Sequence, residues 1–229
     1  MVAAKNKLRR FAENESFNNL FQINYEEVVN GFFLKDKWHS GFFKNENPII
    51  LELGCGKGEY TVGLAQRYPE KNFIGIDIKG ARMWRGLKTA HEENINNLAF
   101  IRTRINLVHL FFGQDEVCEI WITFPDPHPK EIRTRKRLTS PQFLKLYRQF
   151  LKPGGIIHLK TDNIIFFEYT LDIITEEGLE LLYKTYDVYN EGLNNEVDQI
   201  QTFYEEKWLK HGTKIKYLEF RLGNERLKK

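Results

Sequence analysis

The chain is poor in several things. Two cysteines in 229 residues, Cys55 and Cys118, lie far apart in sequence. That pattern excludes a disulfide framework and fits a reducing compartment. Neither has a histidine partner or a metal-ligand spacing, and the six histidines are scattered, so no metal is expected. No apolar run approaches the roughly 20 residues of a membrane span. The basic N-terminus lacks the apolar core of a signal peptide. The expectation is a cytoplasmic protein without a membrane partner. Prolines number only seven, yet three of them, Pro125, Pro127 and Pro129, fall within five positions.

What is present is charge in local clusters. The formal net charge is only +3. Lys130, Arg133, Arg135, Lys136 and Arg137, with Glu131 among them, make a local +4, and Lys5, Lys7, Arg9 and Arg10 make another, leaving −5 for the rest. Two basic patches on an acidic body fit docking to phosphates. For the run at 130–137 a solvated face is the alternative, but five cations in eight residues favour phosphate contact.

Strand-like and helix-like stretches alternate from residue 49 to 177. Ile49–Leu53, Asn72–Asp77, Leu98–Arg102, Val117–Phe124 and Ile156–Lys160 read as buried strands. Helical patterns cover Glu59–Tyr68, Gly80–Asn94, Leu107–Phe112, a segment from Pro141 capped by Ser140, and Ile164–Glu176. Lys152–Gly155 reads as a break, and Leu179–Tyr186 and Lys214–Leu222 as two late strands. This predicts a doubly wound α/β sheet, mostly parallel with a late antiparallel strand. Residues 1–47, aromatic but without a clear period, read as an extension packed on a main domain of residues 48–229.

Ligands of such sheets lie beyond the carboxyl ends of the strands. Gly54, Gly56 and Gly58 follow the first strand and allow close approach of backbone to a ligand. Glu59 stands where a dinucleotide site wants a third glycine, and Gly58 where a phosphate loop wants Ser or Thr. Asp77 ends the second strand, placed to accept both hydroxyls of a ribose. Asn106, Asp126 and Asp162 follow later strands. Each proline of 125–129 pushes its predecessor, Phe124, Asp126 or His128, towards an extended conformation. Asp162 could equally cap the next helix, and Asp126 could be an Asp-Pro turn residue.

Glu52-Leu53-Gly54-Cys55-Gly56-Lys57-Gly58 with Asp77 resembles the S-adenosylmethionine site of class I methyltransferases. Phe124-Pro125-Asp126-Pro127-His128-Pro129-Lys130, the basic run, Leu159–Asp162 and Thr202-Phe203-Tyr204-Glu205 together resemble bacterial tRNA (guanine-N7-)-methyltransferases. The resemblance spans about residues 48–207. It implies a Rossmann-like fold, S-adenosylmethionine as cofactor, tRNA as partner, and methyl transfer to a guanine N7, at guanine 46 of the variable loop. It implies cofactor contacts by Glu52, Asp77, Asn106 and Asp126, and substrate contacts by Lys130, Asp162, Thr202, Phe203, Tyr204 and Glu205. RNA contact falls to Ile132, Arg133, Thr134, Arg135, Lys136 and Arg137. The family usually has Trp at position 128 and Asp at position 106. Asn106 can still accept a hydrogen bond from an adenine amino group.

The chemistry can be argued separately. Guanine N7 has a lone pair and no proton to lose, so catalysis rests on positioning. The methylated base is cationic, so a carboxylate near it, Asp126, favours the transition state. Asp162 and Glu205 could accept the paired N–H donors of guanine's Watson–Crick edge. A methyltransferase for another substrate, and a non-catalytic RNA-binding protein of the same fold, are the alternatives. The basic run with Thr202–Glu205 argues against the first, and the intact glycine turn with Glu52, Asp77 and Asp126 against the second.

Overall fold

The computed structural model describes residues 2–223 and resolves two compact units, Met1–Phe111 and Phe112–Lys229. In the first unit, α1 (Val2–Asn14), β1 (Leu20–Phe21), α2 (Tyr25–Gly31) and a π-helical turn (Trp38–Phe43) precede a βαβαβ run. That run is β2 (Ile49–Leu53), α3 (Glu59–Arg67), β3 (Asn72–Asp77), α4 (Gly80–Glu92) and β4 (Leu98–Arg102), followed by a 3-10 turn over Ile105–Leu110. The strands lie in the order β1-β4-β3-β2 and pair parallel throughout: Ile49 opposite Asn72, Phe73 opposite Leu98, Leu20 opposite Phe100. Every residue of β2 is buried, as the continuous apolar run of a strand covered on both faces requires.

The aromatics of residues 1–47 find partners inside this unit. Phe21 packs edge-on against Phe32, Trp38 and Phe42, and Phe32 lies 4.9 Å from Phe111. Trp38 is fully buried and donates its indole N–H to the Phe111 carbonyl at 3.0 Å. The helices α1 and α2 and the short strand β1 are elements that sequence periodicity did not reveal.

In the second unit, β5 (Val117–Thr123), a 3-10 turn (Glu131–Lys136), α5 (Pro141–Tyr147), β6 (Leu151–Thr161), α6 (Ile164–Glu176) and β7 (Glu180–Thr185) follow in order. Two short helical turns, α7 (Val188–Glu191) and α8 (Glu196–Gln199), then lead to α9 (Phe203–Lys210) and β8 (Lys216–Arg221). Strand β5 is parallel to β6, whereas β8 runs antiparallel to both β6 and β7, giving the order β5-β6-β8-β7. This is the mostly parallel sheet with a late antiparallel strand that the alternation predicts.

Two local expectations fail. Lys152–Gly155 does not break the chain: β6 runs through it, with Gly154 at φ +74° and a register shift opposite Val117–Glu119. Phe124 and His128, both preceding proline, adopt φ +47° and +44°. Proline disfavours the right-handed region for its predecessor, and here the chain leaves it on the left-handed side, a strain of about 1–2 kcal/mol per residue.

Candidate functional site

The first unit gathers its polar residues beyond the carboxyl ends of β2, β3 and β4. Gly54, Gly56 and Gly58 all have positive φ, and a Cβ at Gly58 would lie 2.7 Å from the Phe100 ring. The amides of Gly54 and Cys55 both donate to the Ile76 carbonyl, clamping the turn to β3. Glu52 is buried, and its carboxylate accepts from the Thr61 amide at 2.8 Å and from the Thr61 hydroxyl, tying strand β2 to helix α3. Asp77 accepts from the Gly56 amide at 3.0 Å through one oxygen and from the Lys79 amide at 2.8 Å through the other. Each oxygen keeps a lone pair for a ligand hydroxyl. Burial, followed by the nearby Glu52 and Asp77 charges, pushes the Cys55 thiol well up, so it is an inert small residue in the turn.

Ile78, the residue after Asp77, is half exposed. It shares a pocket with Asn106, Thr103, Gln22 and Tyr25. Sequence reasoning found Asp77 and Asn106 but missed the wall supplied by residues 22–28. An exposed apolar residue directly after a strand-end acid was the available signal.

In the second unit, Asp126 and Asp162 lie just past the carboxyl ends of the paired strands β5 and β6, where the Phe124 amide donates to the Lys160 carbonyl at 2.9 Å. The Asp126 side chain is 71% exposed, and its Oδ1 accepts from the His128 amide at 3.1 Å, an Asx turn with the His128 ring 3.7 Å away. Asp162 is not the cap of α6. Asn163 takes that place, accepting from the Phe166 amide at 2.9 Å, so the Asp162 carboxylate is not spent on capping. Burial pushes the Asp162 carboxyl up, with its own amide and Lys216 pulling the other way.

Two residues of the substrate and RNA sets serve the interior. Arg137 is buried: its Nε donates to the Pro127 carbonyl at 2.9 Å and its Nη2 to the His128 carbonyl at 3.3 Å, while the guanidinium lies 4.4 Å from the Tyr169 ring centre. It braces the proline segment instead of reaching solvent. Lys130, Ile132, Arg133, Arg135 and Lys136 are exposed, with Thr134 half-buried among them.

Glu205 is fully shielded. Its Oε1 meets Lys160 Nζ at 2.6 Å and the Tyr189 hydroxyl at 2.7 Å, while Oε2 accepts from the Thr202 amide at 3.3 Å. Both oxygens are engaged, which leaves no open edge for a guanine. Thr202 and Glu205 form a capping box at the start of α9, and the Thr-x-x-Glu spacing was a legible sign of that. Phe203 and Tyr204, between them, are exposed. Nothing in the sequence signalled the partners Tyr189 and Tyr169.

A family model described as "Putative methyltransferase" matches residues 46–218. A Christiangramia forsetii protein named tRNA (guanine-N(7)-)-methyltransferase is 56% identical over 223 residues, 96% of this chain and 100% of that one. The chain belongs to the tRNA (guanine-N(7)-)-methyltransferase family. A Bacteroides fragilis protein of the same name is 50% identical, covering 96% of this chain and 87% of its own length. At greater distance, a Clostridium acetobutylicum member is 38% identical over 83% of this chain and 89% of that one.

Among solved structures, the 16S rRNA methyltransferase KamB superposes with TM-score 0.61 at 15% identity, covering 82% of this chain and 92% of that one. A 16S rRNA (adenine(1408)-N(1))-methyltransferase determined with its cosubstrate SAM gives TM-score 0.55 at 14% identity, over 89% and 93%. These likenesses establish the family's fold as the Rossmann-like methyltransferase fold. Among the described residues no helix is long and apolar enough to cross a membrane.

Proposed function

We propose that the protein transfers a methyl group from S-adenosylmethionine to N7 of a guanine in tRNA, at guanine 46 of the variable loop. The observation that carries this reading is the glycine turn clamped to Asp77 in a chain 56% identical to a curated relative of that name. The chemistry supplied by the bound cofactor is an electrophilic methyl on a sulfonium.

The residues divide the remaining work. Gly54, Gly56 and Gly58 admit the cofactor's methionine end close to backbone, and Glu52 holds that turn on α3. Asp77 takes the ribose hydroxyls through the lone pairs its two amide donors leave free. Asn106, beside Ile78 in the same pocket, receives the adenine amino group. Asp126, an exposed carboxylate on a loop held at two strained positions, offsets the positive charge that grows on the guanine ring. No base is needed, because N7 carries no proton. Asp162, relieved of capping by Asn163, accepts from the Watson–Crick edge. Phe203 and Tyr204 offer ring faces to bases, presented by a helix that Glu205 fixes from inside. Lys130, Arg133, Arg135 and Lys136 meet phosphates, and the exposed Ile132 meets a base or ribose.

Methyl transfer to unmodified tRNA, followed by nucleoside mass spectrometry, tests the reading. It should yield 7-methylguanosine, lost when guanine 46 is replaced. A different methylated nucleoside would identify another substrate position, and no methylated product would remove the enzyme assignment.

A further inference from the structure

The first unit carries a cationic cluster that the roles above do not use. Helix α1 lies on α4: the buried Asn14 side chain donates to the Gly80 carbonyl at 2.9 Å, and the Phe11 ring edge comes so close to Gly80 that a Cβ there would lie 3.2 Å away. The packing hangs five cations around two rings. Arg10, Lys88 and Arg9 stand 4.7, 5.3 and 5.9 Å from the centre of Trp84. Arg102 and Lys7 stand 5.0 and 6.0 Å from the centre of Phe11. They come from three elements distant in sequence, so only the folded unit assembles them.

The cluster is under-compensated. Among the described residues its ion-pair partners are Glu13, 3.5 Å from Arg9, and Glu92, 3.6 Å from Lys88. Glu13 also accepts from the Trp84 indole N–H. The Nε of Arg10 is shielded from solvent and finds no acceptor among the described residues. Like charges brought together repel, and ring faces return only about 0.5–1 kcal/mol per cation at exposed sites. A gathering of five cations on two carboxylates is stabilised by an outside polyanion.

We infer that helix α1, docked on α4, carries a second phosphate-binding face on which Lys7, Arg9, Arg10, Lys88 and Arg102 hold the tRNA backbone, in addition to the track at Lys130–Lys136. Trp84 and Phe11 act as fixed posts that spread the cations along the surface. The choice of tRNA as the polyanion rests on the proposed function; the phosphate chemistry does not. The face holds phosphates without reading bases, so it sets affinity and orientation rather than the identity of the methylated guanine.

The test uses the full chain with Lys7, Arg9 and Lys88 changed together to Ala, and unmodified tRNA binding measured across a salt series. Affinity near physiological salt should fall about tenfold or more, and the slope of log K against log salt should flatten by about one per lost contact. Cofactor affinity should match the parent protein, and the charge-preserving set Lys7→Arg, Arg9→Lys, Lys88→Arg should keep the parent slope. An unchanged slope in the Ala variant overturns the inference. If the triple variant melts at lower temperature, Arg9→Gln alone decides, because Arg9 is exposed on its helix: a slope loss of about one supports the face and none overturns it. If the parent makes no 7-methylguanosine but the slope still falls, the methyl-transfer reading fails and this face stands.

Discussion

Lys160 Nζ and Glu205 Oε1 lie 2.6 Å apart, both side chains wholly shielded from solvent. Lys160 also donates to the Ile200 carbonyl at 3.2 Å. Burial pushes the Glu205 carboxyl up and draws the Lys160 ammonium down, and each partner restrains the other's shift. Lys160→Met leaves a buried carboxylate without its cation and should cost about 3–5 kcal/mol of unfolding free energy. The double variant Lys160→Met, Glu205→Gln should recover part of that loss. Urea unfolding measures both, and a loss in the single variant no larger than in an exposed-lysine control would show the pair to be marginal.

Arg137 offers a prediction that separates bracing from RNA contact. Arg137→Lys keeps a cation but loses the planar fork that spans the Pro127 and His128 carbonyls. Turnover at saturating tRNA should fall by about tenfold or more, because a displacement of about 1 Å in a reacting group is that damaging. The salt slope of tRNA binding should keep its parent value. A flattened slope with normal turnover would return Arg137 to the phosphate track.

Asp126→Asn retains the side-chain oxygen that accepts from the His128 amide and removes the charge. Turnover should fall by about 100-fold or more, with thermal stability at the parent value. Near-normal single-turnover rates would remove Asp126 from the chemistry.

His158 gives the protein a titration of its own. The ring stacks flat on Trp121 at 3.9 Å, its Nδ1 is 2.8 Å from the Tyr217 hydroxyl, and Glu219 and Glu119 stand at 3.4 and 3.7 Å. Burial alone lowers the pKa, but the two carboxylates more than offset it, and the net shift is upward from 6.5. The resulting stability is complete below 6.5, the unfolded value, and is lost as pH rises through the folded one. Glu219 is held below its ordinary 4.5 chiefly by its hydrogen bond from His158, so its share is present above 4.5 and is lost as pH falls through the folded value. Unfolding free energy should therefore decline as pH rises from 6.5 through the folded value, and His158→Gln should flatten that limb. A parent protein with no such decline would refute the coupling.

The residues that carry chemistry through backbone geometry were legible along the chain. Glycines at 54, 56 and 58 occupy positive-φ positions that other residues rarely adopt. The apolar run of β2 marks a strand covered on both faces, and strand–helix alternation dictated the sheet class. Asp77 closes one strand and Asn106 follows another, so their placement at the carboxyl edge of the sheet follows from parallel topology. Side chains whose role depends on distant partners were not legible. Arg137 and Arg135 look equivalent in a basic run, yet only Arg137 is folded inward, because the 3-10 turn carries it under the proline segment and against Tyr169 of α6. Glu205 reads at most as a capping-box carboxylate until Lys160 and Tyr189 close on it. Sequence by itself determines local conformation and the burial expected of a run. Which of several like charges faces water and which faces the core depends on non-local packing, and only the tertiary structure decides that.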